Sequence, residues 1–339
     1  MAKIAENEYY RTDRTLSYGK LLNIVMGNRS SGKSFAWKEK LIRMFKKDGS
    51  QFIFLKRGVE ESRASKLTNY FEDVRELKFP DDDIYASKDK FYINGEVMGY
   101  IKCLKKVVND KSISYSKVKI ILYDEFLNEN GDYLKNEVSQ LFNLYQTVAR
   151  GGGEVIRENV KIVLISNAVS LINPYFRYLN LYNLKEGYTV GKYYVIELFK
   201  NEAVVNAIKD TQFYEMIKGS AYSEYALDNS FYLDDNSFIK KPSLNKSYYY
   251  ATFLFKEKEI ACYILADGSL YMCRNVNKEN PYKFCIGCYR EKYILLERAN
   301  YILKRLKNSF NSNMMFFKDL EIKGDVIEML NISLYKGWF

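Results

Sequence analysis

Apolar residues fall in short blocks through the first two hundred positions, with longer mixed stretches between them. Residues 21–26, 51–57, 118–126 and 160–165 are apolar runs too short for helices and mostly without alternation, as strands buried on both faces are. Residues 34–45, 60–77 and 134–149 have helical character, the last stopped by Gly151-Gly152-Gly153. Residues 90–104 alternate around Asn94-Gly95, a hairpin turn. Residues 1–19 are polar and carry no clear element. Strands that alternate with helices predict an α/β fold, a mainly parallel sheet with helices on both faces.

The pattern changes after about residue 200. Residues 248–255, 259–266 and 269–274 are rich in β-formers, with turns at 256–258 and Asp267-Gly268, and predict an antiparallel meander. Residues 289–308 predict a basic helix carrying Arg290, Lys292, Arg298, Lys304, Arg305 and Lys307. A first domain over residues 1–200 and a second over 201–339 follow, which suits a length of 339. No apolar run reaches the roughly 18 residues of a membrane span. Residues 1–11 are too polar for a signal peptide.

The net charge is +10, with an isoelectric point near 9.0. Coding bias towards Lys explains that as well as a polyanionic partner such as nucleic acid does, so charge alone does not choose. Five cysteines, an odd number without a secretion signal, argue for reduced thiols. Cys285 and Cys288 form a C-x-x-C pair. Cys262 and Cys273 sit in strand-like runs and no second such pair exists, which argues against structural zinc.

One motif carries specific chemistry. Gly27-Asn28-Arg29-Ser30-Ser31-Gly32-Lys33-Ser34 fits G-x-x-x-x-G-K-S between a strand and a helix. Glycines let the backbone fold its N–H groups against phosphate oxygens, and the helix start adds its positive dipole. Lys33 would reach the β- and γ-phosphates of ATP, and the Ser34 hydroxyl would ligate Mg²⁺. Residues 118–126 end in Asp124-Glu125, where Asp124 would hold the Mg²⁺ shell and Glu125 would act as general base on the attacking water. A base on that strand marks the additional-strand, catalytic-glutamate branch of P-loop NTPases. Asn167, ending the next strand, would sense the γ-phosphate or hold water, or else simply cap the strand. Arg150, ahead of the three glycines, is a candidate finger for a neighbouring subunit's nucleotide. Arg157 and Arg57 are lesser candidates. The plain alternative for Arg150 is a charge answering the helix dipole.

At this point the chain resembles the phi29-type DNA-packaging ATPases, relatives of the terminase motors. The resemblance begins at LSYGKLLNIVMGNRSSGKS and runs through QFIFLKR, FYINGEVMGY, ILYDEF, NEVSQLFNLYQTVAR, LISNAVSLINPYF and YALDNSFY. It implies ATP-driven translocation of double-stranded DNA by a homo-oligomeric ring, typically a pentamer. That ring would dock on the portal (connector) of a procapsid in the host cell cytoplasm, and some members use a structural RNA. By position it implies nucleotide roles for Lys33, Ser34, Asp124 and Glu125, a trans-acting role for Arg150, and a DNA-facing role for Lys111. It also implies that the second domain is a smaller α+β, RNase H-like unit. The strand YYYATFLF lacks the acid a nuclease needs there, so no nuclease activity is expected. Two other readings remain: a P-loop kinase, which would need a lid with several phosphate-binding arginines, and a nucleotide-switch adaptor, which would not need Glu125.

Overall fold

The computed structural model describes residues 9–109, 114–128, 133–150, 156–168, 170–171, 173–179, 181, 184, 186–220, 223, 227, 238–286 and 290–335. It divides into two compact units, Met1–Leu233 and Asp234–Phe339. In the first, chain order gives α1 (Thr12–Ser17), β1 (Leu22–Gly27), α2 (Lys33–Asp48), β2 (Gln51–Lys56), α3 (Ala64–Leu67), α4 (Glu72–Lys78), β3 (Ile84–Ser87), β4 (Lys90–Ile93) and β5 (Glu96–Cys103). There follow β6 (Val118–Asp124), α5 (Glu137–Ala149), β7 (Lys161–Asn167), α6 (Pro174–Tyr178), β8 (Gly187–Val190), β9 (Tyr194–Phe199), α7 (Glu202–Lys209) and α8 (Gln212–Ile217).

These strands form one sheet in the order β3-β4-β5-β2-β6-β7-β1-β9-β8. The six from β5 to β9 in that row run parallel, and antiparallel β4-β3 and β8 extend the two edges. Both faces of the central strands are buried, which is why they read as unbroken apolar runs. Phe52, Phe54, Ile120, Leu122, Val163 and Val25 join a core with Trp37 and Leu41 of α2. Ile53, Leu55, Ile121, Tyr123, Ile162 and Leu164 alternate with them onto the opposite face and are equally buried.

Local departures from the sequence pattern have physical causes. Residues 12–17 form a short helix although they are polar, because its buried Thr15 hydroxyl donates to the buried Glu197 carboxylate on β9. Residues 60–77 break into α3 and α4, because adjacent Tyr70 and Phe71 both turn into an aromatic cluster with Phe52, Phe54 and Phe91. Two sequence neighbours cannot do that from one helix face.

The second unit contains β10 (Tyr248–Phe255), β11 (Lys258–Ile264), β12 (Leu270–Cys273), β13 (Lys283–Cys285), β14 (Ile294–Leu295), α9 (Asn300–Asn311), β15 (Met315–Phe317) and α10 (Leu320–Tyr335). Its sheet order is β14-β13-β10-β11-β12-β15. The expected meander is β10-β11-β12. The expected single helix over 289–308 is not found. Ile294 and Leu295 instead pair with Phe284 and Cys285, and the helix starts only at Asn300. Edge pairing overrides helical periodicity there, while Lys304 and Arg305 keep the exposed face of α9 basic. Arg290 pairs with Glu257. Cys262, Cys273 and Cys285 are buried on β11, β12 and β13, and burial pushes the Cys262 thiol up. Cys288 lies outside the described residues.

Arg157 is a structural clamp. Its guanidinium donates to the carbonyls of Tyr115, Ser116, Val118 and Val148, at 2.7–3.2 Å. It thus ties the start of β6 to a last-turn carbonyl of α5 that has no partner within the helix. Arg157→Met should destabilise the protein by roughly 2–4 kcal/mol, because buried acceptors lose a charged donor. Urea denaturation measures this, and an unchanged midpoint would contradict the clamp.

Candidate functional site

The loop between β1 and α2 is held closed from several sides. A side chain on Gly27 would meet the Phe199 carbonyl oxygen of neighbouring β9 at 2.2 Å, so only glycine fits that approach. Gly32 caps α2 with φ +89°, in the left-handed region, and no side chain caps that helix start. The Asn28 carboxamide oxygen accepts from the Asn201 N–H at 3.0 Å, and the Tyr10 N–H donates to the Ser31 carbonyl at 3.1 Å. Tyr10 is itself hydrogen-bonded to Thr15, the residue held by Glu197. Arg29 is partly buried, Ser30 is exposed with φ 59°, and Ser34 lies in the first turn of α2.

Lys33 is folded onto this loop. Its Nζ donates to the carbonyls of Gly27 (3.0 Å) and Asn28 (2.8 Å) and to Ser31 Oγ (2.9 Å). Burial pushes the amine down to about 7, against an opposing pull from Asp124.

Asp124 ends β6 at the same edge of the sheet, two strands from Gly27. The intervening strand is β7, where Asp124 sits beside Ile165 and Gly27 beside Asn167. At about 4.8 Å per strand, the acid and the loop lie roughly 10 Å apart across the sheet. Asp124 is buried, and burial raises its pKa, countered chiefly by Lys56. Tyr70 OH donates to its Oδ2 at 3.1 Å, and burial keeps that phenol protonated.

Glu125 differs sharply from its neighbour. Its side chain is 77% exposed and pairs with Lys56 Nζ, at the end of β2, at 2.8 Å. Its φ of 59° puts a non-glycine residue in the left-handed region, which costs about 1–2 kcal/mol. A solvent-facing ion pair contributes about 1 kcal/mol or less, so Lys56 holds the carboxylate without locking it. Sequence reasoning did not single out Lys56, whose only signal is its place at the tip of the strand beside β6.

Asn167 is partly buried and lines a cleft with Ser30, Lys33, Ser34, Asp124 and Glu125. Of the basic candidates, Arg150 is exposed where α5 ends. Arg157 and Arg57 are committed elsewhere: Arg157 to four carbonyls, and Arg57 to an ion pair with buried Glu137 at 3.0 Å. Neither guanidinium is available to reach a neighbouring subunit. Lys111 and Gly151–Gly153 lie outside the described residues. Chemically, the cleft offers a backbone cradle with a lysine for an anion, a hydroxyl and a carboxylate for a divalent cation, and a solvent-exposed carboxylate for a proton.

Lys33 gives a pH signature. The three donated bonds belong to the ammonium form; with burial lowering the amine to about 7, it gives up a proton and one of those bonds as pH rises past that value, and a bound polyphosphate raises its pKa again. Binding of ATP without divalent cations should therefore take up a proton, up to about one per site. Calorimetry in buffers of different ionisation enthalpy reads this directly. No uptake, or uptake that persists in Lys33→Met, would contradict the assignment.

Comparison with known proteins places this geometry in context. The family model for podovirus DNA encapsidation protein (Gp16) matches residues 4–332. The DNA packaging proteins of Bacillus phages PZA and phi29 are each 32% identical over 329 residues, covering 95% of this chain and 96% of theirs. A chain of the bacteriophage Phi-29 viral genome packaging motor assembly superposes with TM-score 0.73 and 30% identity, over 96% of this chain and 99% of that one. The N-terminal domain of the DNA packaging ATPase from bacteriophage phi29 gives TM-score 0.52 and 38% identity, over 57% of this chain and 97% of that one.

Proposed function

The chain belongs to the podovirus DNA encapsidation protein family, and from that premise we propose that it is an ATP-hydrolysing subunit of a motor that drives double-stranded viral DNA into a procapsid. The observation that carries the catalytic part is the meeting of the Gly27–Ser34 loop and the Asp124-Glu125 pair at one edge of a parallel sheet. Open α/β sheets bind ligands at that edge.

The residues suit a magnesium–nucleotide. The loop leaves no room for a side chain at Gly27, and α2 starts without a side-chain cap. The N–H groups of residues 28–34 then face phosphate oxygens, and Lys33 exchanges two carbonyls for them. Ser34 and Asp124 would hold Mg²⁺, which when bound neutralises charge on the phosphates. Glu125 leaves Lys56 and accepts a proton from the attacking water, with Asn167 lining the same cleft. Arg150, exposed at the end of α5, reaches the nucleotide of the next subunit.

The family and the motor-assembly likeness support a homo-oligomeric ring, which we take as a pentamer on the capsid portal in the host cytoplasm. Some members of the family that the chain resembles use a structural RNA, and this reading rests on no RNA contact by this chain. Lys111 is retained as a DNA-facing residue on resemblance alone. Among the described residues no helix is long and apolar enough to cross a membrane.

In the second unit the order β12-β11-β10-β13-β14 combines an antiparallel meander with two parallel strands. That order supports an RNase H-like reading. The central strand β10 carries no carboxylate, so we assign the unit to DNA or portal contact and not to cleavage. A nucleotide switch is disfavoured by Glu125 and its cation partner, which a switch does not need.

Double-stranded DNA together with procapsids should stimulate ATP hydrolysis, with weaker stimulation as salt rises. Glu125→Gln should bind ATP yet hydrolyse it at least about 100-fold more slowly. A phosphate-release assay checks both. One rate with and without DNA and procapsids, or full activity in the variant, would count against a motor.

A further inference from the structure

A carboxylate outside the nucleotide cleft is almost fully enclosed. Glu137 opens α5 and is 1% exposed. A buried charge of that kind persists only where donors replace its water. Here five do. Arg57 donates Nε to Oε2 and Nη2 to Oε1, both at 3.0 Å, in a forked pair. Tyr175 OH reaches Oε1 at 2.8 Å, Tyr123 OH reaches it at 3.1 Å, and the Leu134 N–H reaches Oε2 at 2.8 Å. Burial raises both phenols, so each stays a donor at ordinary pH.

These donors bracket the acidic pair. Tyr123 immediately precedes Asp124. Arg57 also donates to the carbonyl of Phe126, which immediately follows Glu125, at 2.5 Å. Lys56, the residue before Arg57, holds the Glu125 carboxylate. Glu125 itself sits at positive φ, and its N–H donates to the Ile165 carbonyl at 2.8 Å. A left-handed non-glycine backbone is kept only where its surroundings over-determine it. The fork from Arg57 supplies that constraint on the side of Phe126, and Glu137 supplies the fork's anchor.

We propose that Glu137 is a positioning residue for hydrolysis: by gripping Arg57, Tyr123 and Tyr175 together it fixes the tip of β6, and with it the carboxylate of Glu125, where the attacking water must be deprotonated. The proposal rests on the hydrolytic reading of the cleft. Among the described residues the side-chain bonds of Glu137 and Arg57 run to Tyr123, Phe126, Leu134 and Tyr175 and not to Lys33, so the network acts on turnover and not on nucleotide capture.

The test is steady-state ATP hydrolysis by the full chain, with a fluorescent ATP analogue for binding and thermal melts for folding. Glu137→Gln keeps the shape but loses the charge that anchors Arg57. It should lower kcat by about tenfold or more, as expected when a catalytic group is misplaced by a fraction of an ångström to about 1 Å. KM and analogue affinity should stay within about threefold. Tyr175→Phe removes one donor and leaves the ion pair, and should lower kcat about threefold at unchanged KM. Should Glu137→Gln fail to fold, Tyr175→Phe and Tyr123→Phe carry the test. A folded Glu137→Gln with native kcat would overturn the proposal. So would Tyr175→Phe and Tyr123→Phe both at native kcat, or a loss that appears only in KM. Glu125→Gln is the control: if it turns over ATP like the native protein, the hydrolytic reading itself fails, whatever the Glu137 variants do.

Discussion

The central parallel strands are buried on both faces and carry most of their polar groups at the strand ends, while Asn23 and Glu197 stay inside only because hydrogen bonds hold them. That constraint organises the first unit. β1 must end in a loop, and the loop closes against the carbonyl of Phe199 on one side and the backbone of Tyr10 on another. β6 ends two strands away in an aspartate and a glutamate. Lysine, serine and both carboxylates therefore converge although about ninety residues separate them in the chain.

The two acids divide the work through their surroundings. Asp124 is enclosed, raised by burial and steadied by Tyr70, as suits a group that waits for a cation. Glu125 faces solvent on a left-handed backbone and is held loosely by Lys56, as suits the general base proposed for it. Behind them, Arg57 pairs with Glu137, and Arg157 holds carbonyls of β6 and α5. Three arginines that look alike in the sequence thus have three different positions: one frames β6, one clamps α5, and Arg150 is exposed where α5 ends.

Much of this was legible in the residues. The apolar runs marked β1, β2, β6 and β7, because strands buried on both faces admit few polar positions. G-x-x-x-x-G-K-S marked the loop because few other jobs require that spacing. Hydroxyl and aromatic contacts left no periodic signal: the helix at Thr12–Ser17 depends on a buried Glu197 nearly two hundred residues away, and the break at Tyr70-Phe71 depends on Phe52 and Phe91. The basic stretch ahead of α9 had helical composition but a free strand edge beside it, and the edge won. Glu137 carried no signal either, since a glutamate in the first turn of a helix is ordinarily a solvated dipole partner.

The central claim is that the Gly27–Ser34 loop clasps a triphosphate opposite the Asp124-Glu125 pair. It is tested most directly by a structure of the protein with magnesium and a non-hydrolysable ATP analogue. The account predicts the β- and γ-phosphates within the loop, Lys33 Nζ moved from the carbonyls of Gly27 and Asn28 onto phosphate oxygens, and the metal between Ser34 and Asp124. A nucleotide bound elsewhere, or a Lys33 still folded on its own loop with the analogue present, would contradict it.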